Sequence, residues 1–167
     1  MLYSYLEVIP DLKIYKVMNS EKWYELIKKI DDCFLMLSEN HLPCPEDVVD
    51  RYKWLDEEAN YSILAHDNSV DPIFIYANKM ALSCFKYTRD EILFLPSRLS
   101  AAAANRGDRE RLLKAVSQNG IAYNYSGDRI DKSGNSFTIY DGIVWELKDQ
   151  NGEKWGQAAL FYIEKQK

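Results

Sequence analysis

Residues 121–163, IAYNYSGDRI DKSGNSFTIY DGIVWELKDQ NGEKWGQAAL FYI, decide the fold. Three runs rich in aromatic and β-branched residues are separated by two short polar segments, Lys132-Ser133-Gly134-Asn135 and Asp149-Gln150-Asn151-Gly152. Gly and Asn tolerate the backbone conformations a tight turn requires, so each segment reads as a hairpin loop. The runs Ile121–Asp131, Ser136–Lys148 and Trp155–Ile163 are therefore expected as consecutive antiparallel strands.

Upstream, a helix is expected from Gly107 to Asn119, with Leu112, Leu113 and Val116 inward and Gly120 as its stop. Thr88-Arg89-Asp90-Glu91 fits a capping box, in which Thr88 and Glu91 satisfy helix-start N–H groups reciprocally, and Pro96 ends that short helix. Asn78 can cap another short helix carrying Met80, Ala81, Cys84 and Phe85. Before it, Tyr61–Ala65 and Ile73–Tyr76 read as strands, with His66–Ser69 as a turn. Two strands, then helices, then a three-stranded meander predict an α+β fold: one five-stranded antiparallel sheet with helices on one face.

Two helices are expected ahead of this unit. Trp23, Leu26, Ile27, Ile30, Phe34 and Leu37 form one apolar stripe over residues 20–38, with Ser20 as the cap. A second helix is expected from Pro45, a residue suited to the first helical position, with Val48, Tyr52, Leu55 and Ala59 inward. Both stripes need cover, from the open sheet face or a partner chain. Residues 1–19 suggest only a short strand or helix broken at Pro10-Asp11. The division expected is a helical extension over 1–60 that packs on a domain over 61–165.

At 167 residues the chain has the length of one domain, and 47% apolar with 28% charged residues is ordinary globular composition. The formal charge of −5 repels phosphate backbones, so nucleic acid is not an expected partner. One stretch runs against it: Arg98, Arg106, Arg109, Arg111 and Lys114, opposed by Asp108 and Glu110, read as a solvated helix face or a local anion site. Three cysteines without a secretory signature suggest a reducing, cytoplasmic setting, and no apolar run is long enough for a membrane span.

The stretch Tyr76–Leu93, YANKMALSCFKYTRDEIL, resembles the PAS family: a strand ending in Asn, a helix with Ala and Phe, then an aromatic-Thr-x-x-Glu-Ile step. Ordered blocks narrow the match. Leu64–Asp67 (LAHD), Asp71–Asn78 (DPIFIYAN), Leu95–Ala101 (LPSRLSA), Asn105-Arg106, Tyr125–Ile130 (YSGDRI), Val144–Leu147 (VWEL) and Gly156–Phe161 (GQAALF) are similar to the MEKHLA family, which is PAS-like. That family also occurs at the C-terminus of plant homeodomain–leucine zipper transcription factors. Residues 1–60 carry no homeodomain or zipper heptads, so that role is not carried over. The resemblance implies a PAS-like sheet and a role in sensing or protein interaction, with no defined ligand.

None of three cofactor chemistries finds its residues in this sequence. A flavin photosensor of the PAS class needs a cysteine in the segment Leu95–Ser100, which has none, and Cys84 lies on an apolar helix face, so covalent flavin chemistry is not expected. A haem ligand is not expected because the long helix has no histidine. Cys33, His41 and Cys44 lack a fourth ligand and standard spacing, so no metal is expected either. His66 reads as a turn residue making a local hydrogen bond. No nucleophile elbow, Walker loop or dinucleotide fingerprint occurs, and catalysis is not expected.

What remains are polar groups on apolar elements. Gln157 opens the last strand between Gly156 and Ala158-Ala159, where small neighbours leave room above the sheet. In flavin-binding PAS relatives a Gln on the last strand touches the ligand, which the resemblance carries to Gln157. Tyr125 and Arg129 lie on a neighbouring strand, and Arg98 sits where helices meet the sheet edge, free for an anion or for pairing with Asp128 or Asp131. With Asn78 and Ser97 these complete the expected ligand-binding set: Asn78, Ser97, Arg98, Tyr125, Arg129 and Gln157. Two roles stay open. One is a sensory module that binds a small molecule and signals through protein contact. The other is a pure interaction or dimerisation module whose Tyr- and Trp-bearing outer sheet face meets a second copy or a partner protein, its pocket filled by its own side chains. A small enzyme ranks below both.

Overall fold

The structure, a computed structural model, describes residues 20–101 and 106–167. The readings of residues 1–19, of the Ser20 cap and of the Arg106 side chain lie outside the described residues. In chain order come α1 (Ser20–Ser38), α2 (Arg51–Glu57), β1 (Ser62–Asp67), β2 (Phe74–Ala77), α3 (Lys79–Phe85), α4 (Arg89–Ile92), a 3-10 turn (Ser97–Ser100), α5 (Arg106–Asn119), β3 (Ile121–Ile130), β4 (Ser136–Lys148) and β5 (Lys154–Tyr162). The strands form one sheet ordered β2-β1-β5-β4-β3, with every pairing antiparallel. The first strand thus lies beside the last.

Both hairpins are closed by an aspartate acting on its own turn. The Asp131 carboxylate accepts from the backbone N–H groups of Ser133 (2.9 Å) and Asn135 (3.0 Å). The Asp149 carboxylate does the same for Asn151 (2.8 Å) and Glu153 (2.9 Å). These side chains pair donors that the turn would otherwise leave open.

Alternation splits the sheet into two faces. The inner face offers Leu64, Phe74, Ala77, Ile139 and Phe161 to Ala81, Phe85 and Ile92 from α3 and α4. The outer face offers Ile63, Ala65, Tyr76, Trp145, Leu147 and Leu160 to Trp23, Ile27, Ile30 and Phe34 of α1. Phe34 meets Trp145 edge-on at 4.9 Å, and the Trp145 indole N–H donates to the Ile30 carbonyl at 3.2 Å. The N-terminal stripes therefore cover the open sheet face of their own chain. The outer-face aromatics Trp145, Trp155 and Tyr61 are buried, so that face is not free to receive a partner as the interaction reading expected.

The second helix starts later than its proline suggests. Pro45 begins a turn, with the Val48 N–H donating to the Pro45 carbonyl at 3.2 Å, and α2 begins at Arg51. Asp50 caps it, accepting from the Lys53 N–H at 3.1 Å. A side-chain cap satisfies a helix-start donor that proline can only lack, and Asp50 supplies that cap.

A buried carboxylate joins α1, α2, β2 and α4. Asp56 accepts from the Trp23 indole (2.6 Å) and the Tyr76 hydroxyl (2.7 Å), while Arg89 pairs with its other oxygen at 3.3 Å and lies over the Trp23 ring at 4.2 Å. Burial pushes the Asp56 carboxyl up, and Tyr76, Arg89 and Trp23 pull it back.

Candidate functional site

Between the inner sheet face and α5 lies a cavity of about 70 Å³. Its walls are largely apolar, with Leu64, Phe74, Leu113, Ile139 and Phe161 among them. Into this lining the fold brings the polar side chains of His66, Ser97, Arg109, Tyr125, Arg129 and Gln157.

Strand register places the sheet-borne groups. Gln157 on β5 pairs with His66 on β1 and with Glu146 on β4, so the three lie in one row on one face. The neighbour of Gln157, Gly156, is required by that register: a Cβ there would sit 2.3 Å from the His66 carbonyl oxygen, closer than real atoms approach. Glu146 is engaged by Lys148 (3.2 Å) and Lys154 (3.7 Å). Gln157 is 4% exposed, and its amide makes no hydrogen bond to any described residue. On the cavity wall, that amide keeps its donors and its acceptor for a molecule in the cavity.

The imidazole of His66 is fixed by its own neighbour. Nδ1 lies 2.7 Å from the Asp67 carbonyl oxygen, which can only accept, so Nδ1 carries the proton and Nε2 is a bare acceptor. Burial, helped by the positive charges of Arg109 and Lys154, pushes the His66 pKa down to about 4, so the ring is neutral near pH 7.

The cationic groups come from opposite sides. Arg129 on β3 is 8% exposed; it donates to the Tyr125 hydroxyl at 2.6 Å and to the Asp128 carbonyl at 2.8 Å, and its guanidinium sits 5.1 Å from the Tyr125 ring centroid. Arg109 on α5 donates to the Ser97 hydroxyl. Burial and the nearby Arg129 charge hold its pKa below the ordinary arginine value, yet a guanidinium stays charged at any physiological pH. Neither arginine forms a salt bridge with a carboxylate among the described residues.

Of the residues expected from sequence, Ser97, Tyr125, Arg129 and Gln157 line this cavity together, and Asn78 and Arg98 do not. Asn78 is wholly buried, and its amide is committed to structure. Its oxygen accepts from the Ile63 and Ala81 N–H groups, and its nitrogen donates to the Leu55 and Tyr61 carbonyls, all at 3.0 Å. No donor or acceptor remains for a ligand. Arg98 turns outward and pairs with Asp71 at 3.1 Å, with both side chains about half exposed. The pairing with Asp128 or Asp131 does not form: Asp128 takes the Thr138 hydroxyl, and Asp131 takes its turn and Lys86.

Sequence reasoning missed His66 and Arg109 as wall residues. A signal for Arg109 existed: it lies three and four residues before Leu112 and Leu113, on the helix face those leucines turn inward. For His66 the strand ran two residues further than its apolar content suggested, carrying the imidazole onto the inner face.

Comparison with known proteins agrees with this architecture. A PAS domain from Colwellia psychrerythraea superimposes with a TM-score of 0.59 at 15% identity, covering 67% of this chain and 92% of that one. A light-oxygen-voltage domain solved in work on a flavin analogue gives 0.52 at 16% identity, with 60% and 74% covered. A PAS domain from a two-component sensor histidine kinase gives 0.52 at 14%, with 64% and 87% covered. No curated protein matches in sequence. The model of the MEKHLA domain matches residues 30–164, beginning inside α1 rather than at β1 and so taking in most of the N-terminal helical layer. The chain therefore belongs to the MEKHLA domain family, and its fold is that of a PAS domain.

Proposed function

We propose that this protein is a sensory module that binds a small molecule in the inner-face cavity and transmits its occupancy by protein contact, without catalysis. The observation that carries this reading is Gln157: the residue is only 4% exposed, it lines the cavity, and its amide makes no hydrogen bond to a described residue. Such a group is stabilised by a molecule that hydrogen-bonds to it, and largely apolar walls with a few convergent polar groups are the usual character of ligand sites. His66, neutral and held to a carbonyl, suits an acceptor in a binding site better than a proton shuttle working near pH 7.

A route for transmission runs through β5. Gln157, Ala159 and Phe161 face the cavity side, while Ala158 and Leu160 on the same strand belong to the core that holds α1. A ligand that shifts β5 would change how α1 seats, and α1 would carry the change to a partner or a second copy.

Native mass spectrometry of the protein purified from its own host tests the reading, because it reports retained small molecules and subunit number together. A retained mass that is lost in Ala159→Phe, which fills the cavity, is expected. A chain free of any small molecule, whose Ala159→Phe variant is more stable with unchanged subunit number, would overturn the proposal; such a void would be a packing defect and no more.

A further inference from the structure

The side chains around the cavity narrow its ligand to one chemical class, an assignment that rests on the sensory function proposed for the same site. Arg129 is more than nine-tenths buried, Arg109 is partly buried, and both guanidinium-bearing side chains line the one cavity. Like charges brought together out of water repel, and each is costly to bury without an anion. Among the described residues, the groups that bond to them are a phenol, a serine hydroxyl and a backbone carbonyl, with no carboxylate in ion-pair contact. Arg109 makes one such hydrogen bond and Arg129 two, which leaves most of the five N–H donors on each guanidinium open. The arrangement stands out in a chain whose net charge is −5.

The remaining walls restrict the rest of the molecule. Leu64, Phe74, Leu113, Ile139 and Phe161 offer nothing to hydrogen-bond, so a bare inorganic anion would leave them unfilled. Gln157 and His66, side by side in register, add an amide and an acceptor nitrogen for one further polar group. A cavity of about 70 Å³ holds about five to seven non-hydrogen atoms, taking roughly 10–15 Å³ per water-sized atom.

We infer that the cavity binds a small organic carboxylate, with its carboxylate between Arg109 and Arg129 and a short apolar body against the leucine and phenylalanine walls. Planar guanidinium forks match a carboxylate and reject its neutral amide.

Isothermal titration of the full chain tests this with butyrate, butyramide and sulfate as probes. Butyrate has the size, the charge and the apolar tail; butyramide keeps the shape without the charge; sulfate keeps charge without the tail. Butyrate is expected to bind about tenfold or more tightly than either control, as a charge-assisted bond requires. Arg129→Gln and Arg109→Gln should each remove that preference, with circular dichroism confirming that the variants fold. Equal binding of butyrate and butyramide, or a butyrate preference that survives both substitutions, overturns the carboxylate assignment while leaving a ligand cavity in place. Sulfate binding as tightly as butyrate overturns the apolar-tailed ligand. Failure of all three probes also overturns the assignment. The broader sensory reading then stands or falls separately, on whether a retained mass disappears in Ala159→Phe.

Discussion

His66 illustrates how burial and one backbone oxygen set the state of a side chain. An ordinary imidazole gains its proton near pH 6.5, whereas in this fold it does so near 4. Between those values the unfolded chain binds the extra proton and the folded chain does not. Stability contributed by the neutral ring is thus present above pH 6.5 and is lost as the pH falls toward 4, by up to roughly 3 kcal/mol. Urea unfolding at pH 7 and pH 4.5 should show the loss, and His66→Gln should lose less over the same interval. Asp56 makes a different case. Asp56→Ala leaves the buried Trp23 and Tyr76 donors unpaired and should cost about 3–5 kcal/mol, while Asp56→Asn keeps an acceptor and should cost about 1–2 kcal/mol. Thermal or denaturant unfolding checks both. Asn78 was legible as a helix cap from sequence, and the structure bears that out through its bond from the Ala81 N–H. Its further bonds to Leu55, Tyr61 and Ile63 join segments whose proximity no local pattern encodes.

Among the elements, those with local signatures sit where their residues put them. The capping box at Thr88 and Glu91 forms with both bonds present, and α5 ends at Gly120, whose φ of +80° is left-handed. Strand β4 spans Ser136–Lys148 as its alternation and flanking turns require. Thr88→Ala should cost about 1 kcal/mol, the usual loss for one cap. Ile30→Ala, at a fully buried position under the sheet, should cost about 2–5 kcal/mol, whereas Val49→Ala, fully exposed, should stay within about 0.5 kcal/mol. Gly156→Ala probes the β1–β5 seam. A methyl group aimed at the His66 carbonyl must push the strands apart, so a loss of about 1–3 kcal/mol is expected, with altered chemical shifts at His66 and Gln157 by NMR. The late start of α2 shows the limit of local reading: Pro45 and Asp50 each carry a helix-start signal, and the bond to the Lys53 N–H formed at Asp50.

For the whole molecule, α1 is the element on which integrity turns. It covers Trp145, Leu147, Ile63 and Leu160, and without it those side chains would form a contiguous apolar patch of the kind that drives association. A chain beginning at Asn40 is therefore expected to self-associate or precipitate, measured by light scattering, whereas a helical extension separable from the domain would leave a monodisperse product. Any molecule that fills the inner cavity binds only the folded chain and should raise its melting temperature with concentration, since occupancy stabilises by mass action.

Periodicity, turn residues and caps determined the helices, the three-strand meander and the α+β class, because each depends on residues within a few positions of one another. Gln157, Tyr125 and Arg129 were legible as polar groups on apolar strands. The tertiary structure alone decided that β1 lies against β5, that α1 covers the outer face, and that Arg109 and Arg129 line one cavity. Those arrangements arise from burial and charge between segments far apart in the chain, and such interactions carry no spacing that a linear reading can detect.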